Sequence, residues 1–232
     1  MNVVITGASR GIGLAVAKNF AVHGYDLILT ARNHKTLQQT VEELQVSFPD
    51  ITIDAKAFDL GDNEQAKLFG VWVGNTANKI DILVNNAGTF TPGSVWNEPA
   101  GALEEMLSVN LFSAYHVTRA LLPKMMSQKR GHIFTICSIA ALSAYPNGGA
   151  YSISKFALLG FTKNLRAEMK EHNIKVTAVI PGAVYTDSWK GHVAPERIME
   201  ADDIAQLIYT ASTLSPQATV EEIVIRPQLG DL

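Results

Sequence analysis

Short apolar runs alternate along the whole chain with longer segments whose apolar residues recur every three or four positions. The runs cover residues 2–6, 26–30, 51–57, 82–84, 132–137, 175–180 and 222–226. Between them Leu14, Ala17, Phe20 and Ala21 form one helical stripe, and Leu37, Val41, Leu44 and Phe48 another. The runs are apolar at nearly every position, as strands are when helices cover both faces of a parallel sheet. The pattern predicts a doubly wound α/β sheet joined by right-handed crossovers. A length of 232 residues with 47% hydrophobic content suits one domain, and no Pro/Gly/Ser-rich linker divides it. Two predicted helices, 101–127 and 149–171, are apolar on more than one stripe, which favours packing against a second subunit as well as the sheet.

Composition removes several function classes. A net charge of -3 and a pI near 6.1 give no electrostatic reason to expect nucleic acid or an anionic membrane as partner. The single cysteine, Cys137, admits no internal disulfide and lies beside Ile133, Phe134 and Ile136, where a thiol behaves as a small hydrophobe. The run Met1-Asn2-Val3-Val4-Ile5-Thr6-Gly7 lacks a basic leader and reads as a strand, not a signal peptide. No stretch approaches the ~20 apolar residues that span a bilayer, so a cytoplasmic protein is expected. No metal ligands are assigned.

The first strand runs into Thr6-Gly7-Ala8-Ser9-Arg10-Gly11-Ile12-Gly13 and then a helix. A dinucleotide pyrophosphate needs a turn without side chains, so that backbone N–H groups reach its oxygens, and gains from the positive end of a helix. Gly7 would make the turn, Gly11 would allow close approach and Gly13 would let the helix lie on the strand. The second strand ends Leu29-Thr30-Ala31-Arg32-Asn33, with no carboxylate to accept from an adenosine ribose or repel a 2′-phosphate. Arg10 and Arg32 would instead straddle such a phosphate, which predicts NADP(H) over NAD(H). Asp59-Leu60 follows the third strand, where a carboxylate could meet the adenine amino group; an exposed loop aspartate explains it as well. Asn85-Asn86-Ala87-Gly88 follows the fourth strand and suits either a cofactor floor or a tie between strands.

Tyr151 and Lys155 stand four residues apart, a phenol and an ammonium on one helix face. A phenol titrates near ~10 in water, and a fixed cation beside it is expected to make it ionise more easily. The pair suggests a proton donor for a carbonyl or alcohol. Tyr145 is a rival phenol, but Gly149 four residues on has no charge to offer.

Taken together and in order, the Thr6–Gly13 turn, Asp59, Asn85-Asn86-Ala87-Gly88, Asn110, Ser138, Tyr151-x-x-x-Lys155 and Pro181-Gly182 with Thr186 resemble the short-chain dehydrogenase/reductase family over nearly the whole chain. The resemblance implies a single Rossmann-type domain on a seven-stranded parallel sheet of order 3-2-1-4-5-6-7, assembled as a homodimer or homotetramer through the two long helices. It implies that Tyr151 is the general acid for carbonyl reduction and the base for alcohol oxidation. Lys155 would hold the nicotinamide ribose hydroxyls and favour the tyrosinate. Ser138 would hydrogen-bond the substrate oxygen, and Asn110 would help hold a water of the proton relay. The cofactor contacts it implies are Gly7, Ser9, Arg10, Gly11, Ile12, Gly13, Arg32, Asp59, Leu60, Asn86, Ala87, Gly88, Tyr151 and Lys155, with Pro181, Gly182, Val184 and Thr186 seating the nicotinamide carboxamide.

Two places depart from the family pattern. The lid segment after Thr186, from Asp187 to about Ala201, is short, and the C-terminus lacks the glycine pair of bacterial 3-oxoacyl-carrier-protein reductases. Phe90, Trp96, Leu142, Tyr145 and Trp189 are expected to ring the cleft and suit an apolar substrate part. The leading expectation is an NADP(H)-dependent reductase of a small-molecule carbonyl, or the matching alcohol dehydrogenase. The alternatives are a 3-oxoacyl-carrier-protein reductase and a redox-sensing NADP(H)-binding protein without turnover. A nucleotide-sugar epimerase would need a larger C-terminal domain.

Overall fold

The computed structural model describes residues 1–189 and 191–232. Seven parallel strands form one sheet in the order β3-β2-β1-β4-β5-β6-β7. They are β1 Asn2–Thr6, β2 Asp26–Thr30, β3 Ile53–Ala55, β4 Ile82–Asn85, β5 Gly131–Ile136, β6 Ile174–Pro181 and β7 Glu222–Ile225. The α-helices between them are α1 Gly11–Val22, α2 His34–Ser47, α3 Asn63–Thr76, α4 Ala102–Leu107, α5 Ser113–Gln128, α6 Gly149–Met169 and α7 Ala201–Ser212.

Side chains of one strand alternate between two faces, and here each face has its own core. Val3 and Ile5 of β1, Leu27 and Leu29 of β2, and Ile82 and Val84 of β4 pack with Phe20, Leu44, Ile204 and Ile208 from α1, α2 and α7. Their neighbours Val4, Ile28 and Leu83 join Phe69, Leu121, Met125 and Leu165 from α3, α5 and α6. Burial on both faces is why the strands read as continuous apolar runs.

Three sequence expectations change. The third strand is shorter than 51–57, although Thr52, Lys56 and Phe58 still bond irregularly to β2 or the chain beyond it. It is an edge strand, half-buried throughout, so little holds its ends in register. β7 is likewise covered on one side only: Ile223 and Ile225 pack on the core, while Val224 is half exposed. The predicted helix 101–127 is interrupted by a π-helical segment, Ser108–Phe112, between α4 and α5. One residue beyond the α-helical count turns Asn110 fully into the interior.

Candidate active site

The C-terminal ends of β1, β4, β5 and β6 bring the singled-out residues together. Gly7 and Gly11 adopt positive φ, +64° and +53°, which favours glycine. A Cβ on Gly13 would overlap the Gly7 carbonyl and lie 2.5 Å from Asn86 Nδ2, so α1 reaches β1 only because that position is bare. Arg10, at the N-cap of α1, makes no side-chain capping bond, which leaves the first amides of the helix for an anion. Ser9 is half-buried, its carbonyl accepting from Thr40 Oγ1, and Ile12 packs against the core. A dinucleotide pyrophosphate fits this turn.

Arg10 and Arg32 are both exposed beyond β1 and β2, and Arg10 lies 3.8 Å from Asp187 in the segment after β6. Asp59 is half-buried and accepts from Gly61 N at 3.0 Å, so part of its bonding is spent within its own loop. The Leu60 side chain belongs to the core, and only its main chain is available to a ligand. Asn86 Nδ2 donates to Thr6 O and Gly7 O at 2.9 and 3.1 Å, tying β4 to the glycine turn. Thr6 Oγ1 accepts from the amides of Asn86 and Ala87, a tie the sequence reading had not assigned to Thr6. Asn85, within β4, donates to Thr118 Oγ1.

Beyond Pro181, the last residue of β6, Gly182 N donates to Ile225 O and Val184 bridges to Met199. Thr186 then packs over the turn, 3.1 Å from where a Gly11 Cβ would be. The lid expected from Asp187 to about Ala201 contains two single-turn helices, Asp187–Trp189 and Pro195–Arg197; Lys190 within it lies outside the described residues.

The polar side chains of the other half are sunk into the protein. Lys155 Nζ donates to Ile136 O at 3.0 Å, sits 5.7 Å from the Tyr151 ring centre and faces Gly88. No carboxylate pairs with it among the described residues, and burial pulls its ammonium down to about 8. Burial pushes the Tyr151 phenol up, opposed by a hydrogen bond from the Ser138 side chain. Against the expectation of a phenol that ionises more easily, burial is the larger influence here and shifts it the other way. Ser138 caps the 3-10 turn Ile139–Ala141, its Oγ accepting from Ala140 N at 3.2 Å.

Asn110 uses its whole side chain. Its Oδ1 accepts from Thr89 N at 2.7 Å, and its Nδ2 donates to Thr89 O at 3.1 Å and Ser154 Oγ at 2.9 Å. It therefore fastens the chain after Gly88 to α6, through partners that sequence spacing had not revealed. Phe90 meets the Tyr151 ring edge-on at 4.8 Å, and Leu142, Tyr145 and Trp96 are exposed in neighbouring loops. Two hydroxyls, an ammonium and an apolar rim thus face the space beyond the sheet. That set can hold a substrate oxygen and move a proton to or from it.

Relatives place the chain more firmly. The family model described as short chain dehydrogenase matches residues 1–197. A sepiapterin reductase of Chlorobaculum tepidum is 32% identical, across 99% of this chain and 97% of that protein. A 3alpha-hydroxysteroid dehydrogenase of Mediterraneibacter gnavus is also 32% identical, across 94% of this chain and 92% of that protein. Among solved structures, a metagenomic short-chain oxidoreductase in complex with NADP superposes with a TM-score of 0.86 at 30% identity, over 98% of this chain and 97% of that one. An alcohol dehydrogenase from Thermococcus sibiricus, complexed with 5-hydroxy-NADP, gives 0.89 at 27% identity, over 98% and 96%. The chain belongs to the short-chain dehydrogenase family of oxidoreductases.

Proposed function

We propose that this chain interconverts a small-molecule carbonyl and the corresponding secondary alcohol with NADP(H), Tyr151 giving or taking the proton. The observation that carries the reading is the buried Lys155 ammonium, 5.7 Å from the ring centre of a half-buried Tyr151 one helical turn away. Bound NADPH supplies the hydride. As the carbonyl oxygen gains negative charge, Ser138 donates a hydrogen bond to it and the Tyr151 hydroxyl transfers its proton. The Lys155 ammonium then faces the tyrosinate that remains, and the backbone carbonyl of Ile136 fixes its position. In the oxidative direction the same groups run in reverse, and Tyr151 must first lose its proton. Asn110 holds Thr89 and α6 in register, and a water beside it would refill the proton.

The phosphate-bearing cofactor is favoured by exposed Arg10 and Arg32 and by the missing carboxylate after β2. Both structural relatives described above were solved with NADP or a derivative of it. Phe90, Leu142 and Tyr145 favour a substrate with an apolar body. The protein would act in the cytoplasm: no described helix is long and apolar enough to cross a membrane. A homodimer or homotetramer would form through the outer faces of α5 and α6. These flank a groove of about 760 Å³ lined by Leu111, Phe112, Tyr115, Leu122, Ala157 and Phe161, away from the catalytic residues.

A screen of NADPH oxidation over ketones, aldehydes, 3-oxoacyl thioesters, quinones and sugars tests the reading. Turnover by the wild type that disappears in Tyr151→Phe supports it. No turnover across the panel, or equal turnover by the variant, contradicts it. Light scattering of the purified protein decides between monomer and oligomer.

A further inference from the structure

The chain between Gly88 and α4 does more than border the cleft, because it is fastened at three points to the elements that carry the catalytic residues. Thr89 is held at its N–H and carbonyl by Asn110. Gly93 N donates to Asn147 O at 3.1 Å, and Ser94 Oγ donates to Asn147 Oδ1 at 2.7 Å. At the far end, Glu98 Oε1 accepts the amide of Ala150 at 2.6 Å. Ala150 lies in the first turn of α6 and immediately precedes Tyr151.

The fit around Glu98 is built from two bare positions. A Cβ on Gly149 would overlap the Glu98 carboxylate, and one on Gly93 would come within 2.7 Å of Glu98 Cγ. Gly149 also has φ of +31°, which strains any other residue. First-turn amides have no partner inside their own helix, and a carboxylate there is additionally favoured by the helix dipole. Between its fastenings the segment lays Phe90 edge-on against the Tyr151 ring.

From these contacts we infer that Glu98 is a positioning residue: its carboxylate sets where α6 begins, and with it the place of the Tyr151 hydroxyl. The inference rests on the proposed role of Tyr151 and extends it to a residue that touches neither substrate nor cofactor. Without the carboxylate, the Ala150 amide loses its acceptor, and the 89–98 segment loses the attachment that keeps Phe90 on the ring. Because proton transfer depends on placement to within about an ångström, turnover suffers before binding does.

The experiment compares Glu98→Ala and Glu98→Gln with the wild-type protein. Glutamine keeps an oxygen for the Ala150 amide, so it is the rescue. For Glu98→Ala the expectation is a kcat lowered roughly tenfold, with the KM for NADPH and its affinity by fluorescence titration unchanged. Glu98→Gln should recover most of that loss. Hydrogen exchange of the segment around residues 145–155 should accelerate in Glu98→Ala and stay close to wild type in Glu98→Gln. Unchanged kcat in Glu98→Ala overturns the inference. So does an equal loss in Glu98→Gln, or a loss of NADPH affinity and thermal stability together. If the wild type turns over no carbonyl, the functional reading fails, and unaltered exchange in Glu98→Ala then overturns the positioning role separately.

Discussion

Around β1 and β2 the groups offered to a ligand are main-chain amides and exposed guanidinium groups, whereas around β5 and α6 they are side chains mostly buried in the protein, with Tyr151 half-buried. Gly7, Gly11 and Gly13 bring backbone close by carrying nothing, and Arg10 and Arg32 stay in solvent. Asn110 and Ser154 are fully buried, and Lys155 is 6% exposed. The difference fits what the proposed function asks of each half. A phosphate arrives with its own charge and needs donors that cost little to keep hydrated. A proton donor works through a perturbed acidity, which requires removal from water. On the proposed function, binding falls to the half that stays wet, and acid–base chemistry to the half that is drier.

The largest expected effect falls on the dry half. Tyr151→Phe removes the proton donor, and kcat for carbonyl reduction should fall about 10²- to 10⁴-fold while NADPH still binds. Retained turnover would break the division at its strongest point. On the wet half, Arg32→Asp replaces a charge-assisted donor with a repelling carboxylate. It should lower kcat/KM with NADPH about 10- to 100-fold and leave NADH nearly unaffected. An unchanged cofactor preference would mean that these exposed guanidinium groups are not what reads the phosphate.

The pH dependence sharpens the comparison. On the proposed mechanism, reduction needs a protonated Tyr151, which burial favours, and a charged Lys155, whose ammonium is lost as pH rises through about 8. The kcat/KM for reduction should therefore be level below that pH and fall up to about tenfold per unit above it. A profile flat into the alkaline range would show that the buried ammonium is not needed.

The smallest expected effect concerns stability alone. His132 is buried in β5, stacked on Phe134, and its ring is pulled down to about 3 by burial, against an ordinary value of 6.5. The stability that goes with the neutral ring is present above the ordinary value and is lost as pH falls from there toward about 3. Denaturation midpoints of the wild type should fall with acidification more steeply than those of His132→Gln. Equal slopes would place the acid sensitivity elsewhere.

The two halves also differ in how far the sequence reveals them. The glycine turn is legible because its chemistry is local: one strand, one turn and one helix start within Asn2–Gly13. Most strand limits fall within a residue or two of the apolar runs, since a strand buried on both faces carries its own signature. The poorest match is the edge strand β3, two residues short at each end, where burial is partial and periodicity weakens. The dry half depends on contacts across long separations. Nothing in Ser108-Val109-Asn110-Leu111-Phe112 announces a π turn, and the pairings that Asn110 makes from it, with Thr89 and Ser154, span 21 and 44 residues. The spacing of Tyr151 and Lys155 shows a cation beside a phenol, but the burial that decides the phenol's acidity exists only once the sheet and helices have packed. Glu98 lay outside every motif because its partner is a backbone amide 52 residues away.

A crystal structure of the NADP⁺ complex tests the division of labour most directly. The account predicts the 2′-phosphate between Arg10 and Arg32, the pyrophosphate on the first amides of α1, and the reactive carbon of the nicotinamide facing the hydroxyls of Ser138 and Tyr151. A nicotinamide ring seated away from those hydroxyls, with Lys155 clear of the ribose, would contradict it.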